Sequence, residues 1–146
     1  MEQDSNLTNL AINFNRRISI LIRFLDSKTR STKYNIEIDR IKRLFSICKS
    51  EYLGYILEQS VEPIWKNKQY IINKDKTFLE SDNLKQELKS HATQYEDIDD
   101  NLINEIYNII SYVLQSTSHE EEVEIWCILN EILTIVGEFL LIKKSV

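Results

Sequence analysis

The run 118-SHEEEVEIWCILNEILTIVGEFLLIKK-144 decides the fold class of this chain. Its first four residues form a capping box, in which the Ser118 hydroxyl and the Glu121 carboxylate accept the first free backbone N–H groups of a helix. Glutamates follow where the helix dipole is positive, and Lys143 and Lys144 stand where it is negative. The run therefore predicts one long helix from this cap to the lysine pair.

Two neighbouring apolar stripes follow this helix at spacings of three and four residues. A helix on a protein surface usually needs only one such stripe. Two stripes predict contacts with several other helices, so we expect the C-terminal helix at the centre of a bundle. The first stripe consists of Ile125, Ile128, Ile132, Ile135, Phe139 and Ile142, and the second of Trp126, Leu129, Leu133, Val136 and Leu140.

The same helical period marks the rest of the chain. Apolar residues predict a first helix over residues 7–25, a second over 38–48 and a third over 53–65, with a polar loop over 26–35. Asp99 can cap a further helix over 102–114, which the linker 115–118 joins to the last helix as an antiparallel hairpin. The polar segment 81–100 supports at most a short helix at 84–88.

The composition agrees with helices in a single domain. A chain of 146 residues is most simply one domain, and it contains only two glycines and one proline. Because tight β-turns depend on these two residue types, a β-rich fold is disfavoured. We predict an all-α fold with one domain over residues 1–146, a compact bundle of five or six helices with a central C-terminal helix.

Cysteines and hydropathy indicate the compartment. Cys48 and Cys127 are the only thiols, and their spacing fits neither a disulfide framework nor a metal site. No basic and apolar leader opens the sequence. The longest apolar run, residues 132–142, is about half a membrane span and contains Glu138. We therefore expect an intracellular protein that does not span or bind a membrane.

The side chains that usually carry catalysis are sparse and scattered. We find no glycine-rich phosphate loop, no nucleophile elbow and no metal-ligand spacing. His91 and His119 have polar neighbours, as solvated histidines do, while Cys48 and Cys127 adjoin the apolar stripes, as small core residues do. The glutamates at 120–124 fit a solvated helix start better than a cation site. We expect no enzyme, catalytic residue, cofactor or metal, and keep a small enzyme as a third class of function.

Charge is distributed unevenly along the chain. The net charge is −5, although residues 1–80 carry +4 and residues 81–146 carry −9. Between Arg16 and Lys49, ten basic side chains stand against three acidic ones. A basic cluster of this kind can bind phosphates or an acidic protein surface, but its aromatic residues are not clearly interleaved as stacking platforms for bases. The candidate partner-binding residues are Arg16, Arg23, Arg40, Lys42 and Arg43.

Residues 62–79 contain the only proline and one of the two tryptophans. Proline inside a helix removes a backbone hydrogen bond and clashes with the preceding turn, so Pro63 should kink the third helix or begin a new one. Trp65 and Phe78 stand among aliphatic residues. This pattern predicts buried anchors of a structural corner, with a ligand platform as the alternative.

The same region carries a resemblance to a known group of proteins. Residues 63–66, Pro-Ile-Trp-Lys, and residues 71–80, with their Ile-x-Asn-x-Asp-x-x-Phe-like order, resemble a pattern in small all-helical proteins of nucleocytoplasmic large DNA viruses. Residues 124–129, Glu-Ile-Trp-Cys-Ile-Leu, are similar to the start of their last helix. The resemblance covers roughly residues 38–140, with Thr77 where the pattern has a phenylalanine. It implies a viral origin and a helical fold, and it transfers no catalytic residue.

These observations define two leading interpretations of function. The first is a non-enzymatic helical interaction protein that binds a protein partner, or a second copy of itself, in an infected cell or virion. The alternative is a nucleic-acid-associated protein that uses the basic face of residues 16–49. A helical mimic of a host cell-death regulator is a further alternative within the binding class.

Overall fold

The computed structural model describes residues 2–79, 86 and 100–144. These residues form seven α-helices and no strand, which confirms the predicted all-α fold. Two short helices raise the number above the expected five or six, and the expected helix at 84–88 lies outside the described residues apart from residue 86. The helices are α1 Glu2–Thr29, α2 Asn35–Glu51, α3 Tyr55–Lys66, α4 Lys68–Ile72, α5 Lys76–Leu79, α6 Asp100–Ser116 and α7 His119–Lys144.

The two long helices α1 and α7 form the centre of the bundle. Helix α7 packs against α1, α3 and α4, and α1 also packs against α2, α3 and α6. Phe14 of α1, Leu57 of α3 and Val136 of α7 are almost completely buried where these helices meet. Burial of such a side chain stabilises the fold by about 1.5–3 kcal/mol relative to exposure.

Both predicted stripes of α7 point into this core over its middle turns. From them, the side chains of Trp126, Ile132, Leu133, Ile135, Val136 and Phe139 are buried. The third side of the helix is exposed to solvent, and Cys127 lies on it. The expectation of a core position for Cys127 is therefore wrong, because this residue follows Trp126 by one helical step and faces away from the bundle.

Helix α7 begins as the sequence predicts. The Ser118 N–H donates to Glu121 Oε1 at 3.0 Å, and the Glu121 N–H donates to Ser118 Oγ at 3.2 Å, so the capping box is formed. The expected side-by-side hairpin with α6 is not the main packing, since α6 makes its principal contacts with α1 and α2. The expected Asp99 cap of α6 lies outside the described residues.

Helix α3 continues through Pro63 for one further turn and ends at Lys66. The chain turns at Asn67, whose side-chain amide donates to the Pro63 carbonyl at 2.9 Å. A new helix therefore begins after Asn67 and not at Pro63. Before α5, the Asp75 carboxylate accepts the Thr77 N–H at 3.1 Å and starts the last short helix of this region.

Within the described part of the chain, α7 is the one helix whose length and composition would allow it to cross a membrane, with a mean hydropathy of 1.9 in its most apolar window. The expectation of no spanning segment considered only the shorter run 132–142. Length and composition do not separate a membrane span from the core helix of a soluble protein, which passes the same criterion. In the bundle, the apolar stripes of α7 are covered by α1, α3 and α4.

Candidate protein-interaction surface

The basic cluster between Arg16 and Lys49 is partly neutralised within the molecule. Five of its ten basic side chains form ion pairs with carboxylates of other turns or helices. These pairs are Arg17–Glu131 at 2.8 Å, Lys28–Glu121 at 2.8 Å, Arg30–Asp39 at 2.9 Å together with Arg30–Asp26, Arg40–Glu105 at 3.0 Å and Lys42–Asp26 at 3.2 Å.

Two of the candidate partner-binding residues belong to these pairs. Arg40 Nη1 donates to Glu105 Oε2 and joins α2 to α6. Lys42 Nζ donates to Asp26 Oδ2 and joins α2 to α1. Both side chains therefore hold helices together, and the five candidates do not form one free basic patch.

Arg30 and Lys42 favour the charged forms of Asp26 and Asp39. The hydrogen bond from Arg30 lowers the pKa of Asp39. Burial acts to raise the pKa of Asp26, but hydrogen bonds from Arg30 and Lys42 outweigh it and lower that pKa. Negative charge is thus retained beside the basic side chains, and the field that a phosphate backbone would meet is reduced.

The remaining candidates, Arg16, Arg23 and Arg43, are exposed. Within the described part of the chain, none of the three has an ion pair or hydrogen bond. Arg16 and Arg23 alternate with two isoleucines on the outer side of α1, where Ile12 is 40% exposed and Ile20 is 37% exposed. We call Ile12, Arg16, Ile20 and Arg23 the α1 face.

The sequence did not single out the two isoleucines of the α1 face. A signal for them exists, because the inward side of α1 is already filled by the Leu10, Phe14 and Ile18 series. Ile12 and Ile20 fall on the opposite side of a helix with that period, among polar residues. Apolar side chains in such positions have no core to enter.

The glutamates at the start of α7 divide into two groups. Glu121 pairs with Lys28, and Glu122 lies 3.6 Å from Lys76 Nζ. The hydrogen bond from Lys28, supported by the Ser118 N–H, lowers the pKa of Glu121 to about 2. Glu120 and Glu124 are exposed and have no such partner among the described residues.

The predicted corner around Pro63 lies at the edge of the core. Trp65 is 38% exposed, with Lys68 Nζ 4.0 Å from the centre of its ring. The ring-edge atoms Cζ3 and Cη2 of Trp65 approach Gly137 of α7. Phe78 is half-buried and stacks on Tyr70, with ring centres 4.2 Å apart. Trp65 is thus less buried than a core anchor would be.

Histidine and cysteine side chains are few among the described residues. No group of three His, Cys, Asp or Glu side chains there could hold a metal ion. His119 is exposed, His91 lies outside the described residues, and burial raises the pKa of Cys48. A cavity beside Leu114 and Trp126 measures about 10 Å³, room for at most one water molecule.

No protein-family model matches the chain, and no curated protein or solved structure matches it at a significant level. Function is therefore inferred from the chain's own surface, of which the α1 face is the most distinctive part.

Proposed function

We propose that this chain is a non-enzymatic helical interaction protein whose α1 face binds an acidic protein surface. The resemblance to small helical proteins of large DNA viruses supplies the setting that we propose, an infected cell or a virion. Arg43, on helix α2, is a further exposed arginine.

The observation that carries the proposal is the alternation along α1 of exposed isoleucine with arginine that has no ion pair among the described residues. Ile12, Arg16, Ile20 and Arg23 follow one another at steps of four, four and three residues, so they lie on one side of the helix. Arginine is enriched in protein interfaces, whereas lysine is depleted there. A solvated helix face would more often carry lysine or glutamate.

The same charges support a protein partner better than a nucleic acid. Contacts to a nucleic-acid backbone depend on many free cations, each of which neutralises one phosphate. Arg17, Lys28, Arg30, Arg40 and Lys42 are instead bound to carboxylates of the chain. Exposed isoleucines would also contribute little to contacts with a phosphate backbone.

The test compares two charge-reversed variants that alter the net charge equally. Arg16→Glu/Arg23→Glu changes the α1 face, and Lys33→Glu/Lys49→Glu changes two exposed lysines elsewhere on the surface. Tagged wild type and both variants are incubated with nuclease-treated extract of infected cells, and retained proteins are quantified by mass spectrometry. Circular dichroism establishes that each variant is folded.

We expect a set of proteins that wild type and the lysine variant retain and the arginine variant loses. In a second arm, fluorescence anisotropy measures binding of the same three proteins to a labelled DNA duplex and its single strand at physiological salt. Equal retention by all three proteins would overturn the proposal. Sub-micromolar DNA binding that falls steeply with salt and is lost in the arginine variant would replace it with the nucleic-acid function.

A further inference from the structure

Helix α7 presents an exposed face of opposite charge to the α1 face. Glu124, Glu131 and Glu138 are exposed and follow one another at intervals of seven residues. Val123 is 48% exposed and Leu141 is 67% exposed on the same outer side. We call these five residues the α7 face, which combines three carboxylates with two apolar side chains.

The spacing of charge is the same on both helices. Arg16 and Arg23 are also seven residues apart, and seven residues of α-helix rise by about 10.5 Å. Because seven residues complete nearly two turns, charges at this interval form a straight row along each helix. The two rows, one positive and one negative, can therefore meet charge by charge.

The two faces lie side by side in one protomer. Arg17 pairs with Glu131 and Lys28 pairs with Glu121, so α1 and α7 run antiparallel with a defined register. In that register Arg16 is level with Glu131, and Arg23 is level with Glu124, each within about two residues, or 3 Å along the axis. Basic and acidic rows thus border each other on one surface.

We infer that this surface binds a second copy of the chain, with the α1 face of each copy against the α7 face of the other. A twofold axis parallel to α1 and α7 produces this arrangement and keeps every residue at its level along the helices. Arg16 then meets Glu131 of the other copy, and Arg23 meets Glu124. The inference rests on the proposed function, since it names the acidic partner of the α1 face.

The alternative twofold arrangement is disfavoured by charge. A twofold axis that lies in the interface and runs perpendicular to the helices places α1 against α1 and α7 against α7, so that arginine rows meet each other and glutamate rows meet each other. Like charges opposite one another in an interface weaken association and exclude that pairing. The exposed apolar residues Ile12, Ile20, Val123 and Leu141 are removed from water in the favoured arrangement, which adds attraction that salt does not screen.

A charge exchange between two purified variants tests the arrangement. Arg23→Glu places two carboxylates opposite each other at both copies of the Arg23–Glu124 contact, and Glu124→Arg places two guanidinium groups there. Glu131 is left unchanged because it pairs with Arg17 inside the protomer. Each variant alone should repel its own copy. In a mixture, both interfaces of the heterodimer regain opposite charges.

Sedimentation equilibrium measures the dimer constant of wild type, each variant and the equimolar mixture. We expect wild type to dimerise, each variant alone to dimerise roughly 100-fold more weakly, and the mixture to recover dimers that contain one copy of each. Lys33→Glu/Lys49→Glu serves as the control and should dimerise like wild type.

Three results would overturn the inference. A wild type that is monomeric at about 100 µM would exclude self-association even with a weak dissociation constant. Dimers that persist in both variants would place the interface elsewhere, and variants that fail to recover dimers when mixed would exclude the crossed pairing. The proposed function would fail on a different result. In that case Arg16→Glu/Arg23→Glu would retain the second copy and every protein of the extract that wild type retains.

Discussion

Lys28 of α1 and Glu121 of α7 form an ion pair in which Lys28 Nζ lies 2.8 Å from Glu121 Oε1. The same carboxylate oxygen accepts the Ser118 N–H, and the same ammonium group lies 3.4 Å from the Ser116 carbonyl oxygen. One lysine therefore joins the end of α1 to the end of α6 and the start of α7. Helices α6 and α7 both pack against α1.

Acid should weaken the fold through Glu121. Its pKa is about 2 in the folded protein and near 4.5 ordinarily, so its contribution to stability is fully present above about pH 4.5 and is lost as the pH falls through about 2. Urea unfolding of wild type and Glu121→Gln is measured from pH 7 to pH 2. We expect the difference between their midpoints to shrink below pH 4.5.

Glu120→Gln is the matched control, because Glu120 adjoins Glu121 and has no ion pair among the described residues. Its midpoint should follow that of wild type closely over the same pH range. A constant difference between wild type and Glu121→Gln from pH 7 to pH 2 would show that the Lys28 pair does not depend on ionisation of Glu121.

Loss of the Ser118 hydroxyl should destabilise the protein by about 1 kcal/mol, the usual cost of replacing a helix N-cap serine by alanine. The hydroxyl accepts the Glu121 N–H at 3.2 Å, and no other group of the box replaces it. Urea denaturation of Ser118→Ala against wild type gives the difference in free energy of unfolding.

Thr134→Ala provides the comparison on the same helix. The Thr134 hydroxyl donates to the Asn130 carbonyl within the helix and caps nothing, and alanine favours the helix. We expect Thr134→Ala to be neutral or slightly stabilising. Equal losses in the two variants would mean that the capping box contributes nothing specific.

Local sequence rules predicted the features of this fold that depend on neighbouring residues. The Ser118–Glu121 box, the acidic start of α7 and its buried stripes follow from residues within one or two turns. The helical bundle follows from the apolar period alone. The number of helices does not follow from this period, because α4 and α5 depend on turn contacts at Asn67 and Asp75.

The candidate site required contacts that the sequence does not reveal. Arg17 and Glu131 are 114 residues apart, and Arg40 and Glu105 are 65 residues apart. Which cations are neutralised, and hence which arginines stay free, depends on how the helices pack. The exposure of Trp65 is similar, because its aliphatic neighbours in the sequence predicted a buried anchor, whereas the residue is 38% exposed.

The two tryptophans should therefore differ in their contribution to stability. Trp126 is 6% exposed, whereas Trp65 is 38% exposed. Trp126→Ala should cost about 3–5 kcal/mol, the range for large buried aromatic residues, and Trp65→Ala clearly less. Urea denaturation measures both. A greater loss for Trp65→Ala would contradict the burial of the two rings.

Iodide quenching of tryptophan fluorescence compares the exposure of the two rings in variants that keep an aromatic side chain at both positions. Trp126→Phe leaves Trp65 as the only tryptophan, and Trp65→Phe leaves Trp126. We expect iodide to quench the fluorescence of the Trp126→Phe variant more strongly. Equal quenching in the folded variants would indicate that both indole rings are equally accessible.

Replacement of Gly137 by alanine should stabilise the protein by up to about 1 kcal/mol, the difference between glycine and alanine inside a helix. A Cβ atom at Gly137 would lie 3.4 Å from Cζ3 and 3.7 Å from Cη2 of Trp65, which is contact without overlap. Valine would add two methyl groups in the same space and should destabilise. Urea denaturation of Gly137→Ala, Gly137→Val and Gly137→Ala/Trp65→Ala separates helix propensity from contact with the Trp65 ring. The last variant keeps the gain in helix propensity and lacks the ring. Gly137→Ala could lower stability in wild type and yet not lower it when made in Trp65→Ala. That result would show that the Trp65 ring cannot accept a methyl group at this crossing of α3 and α7.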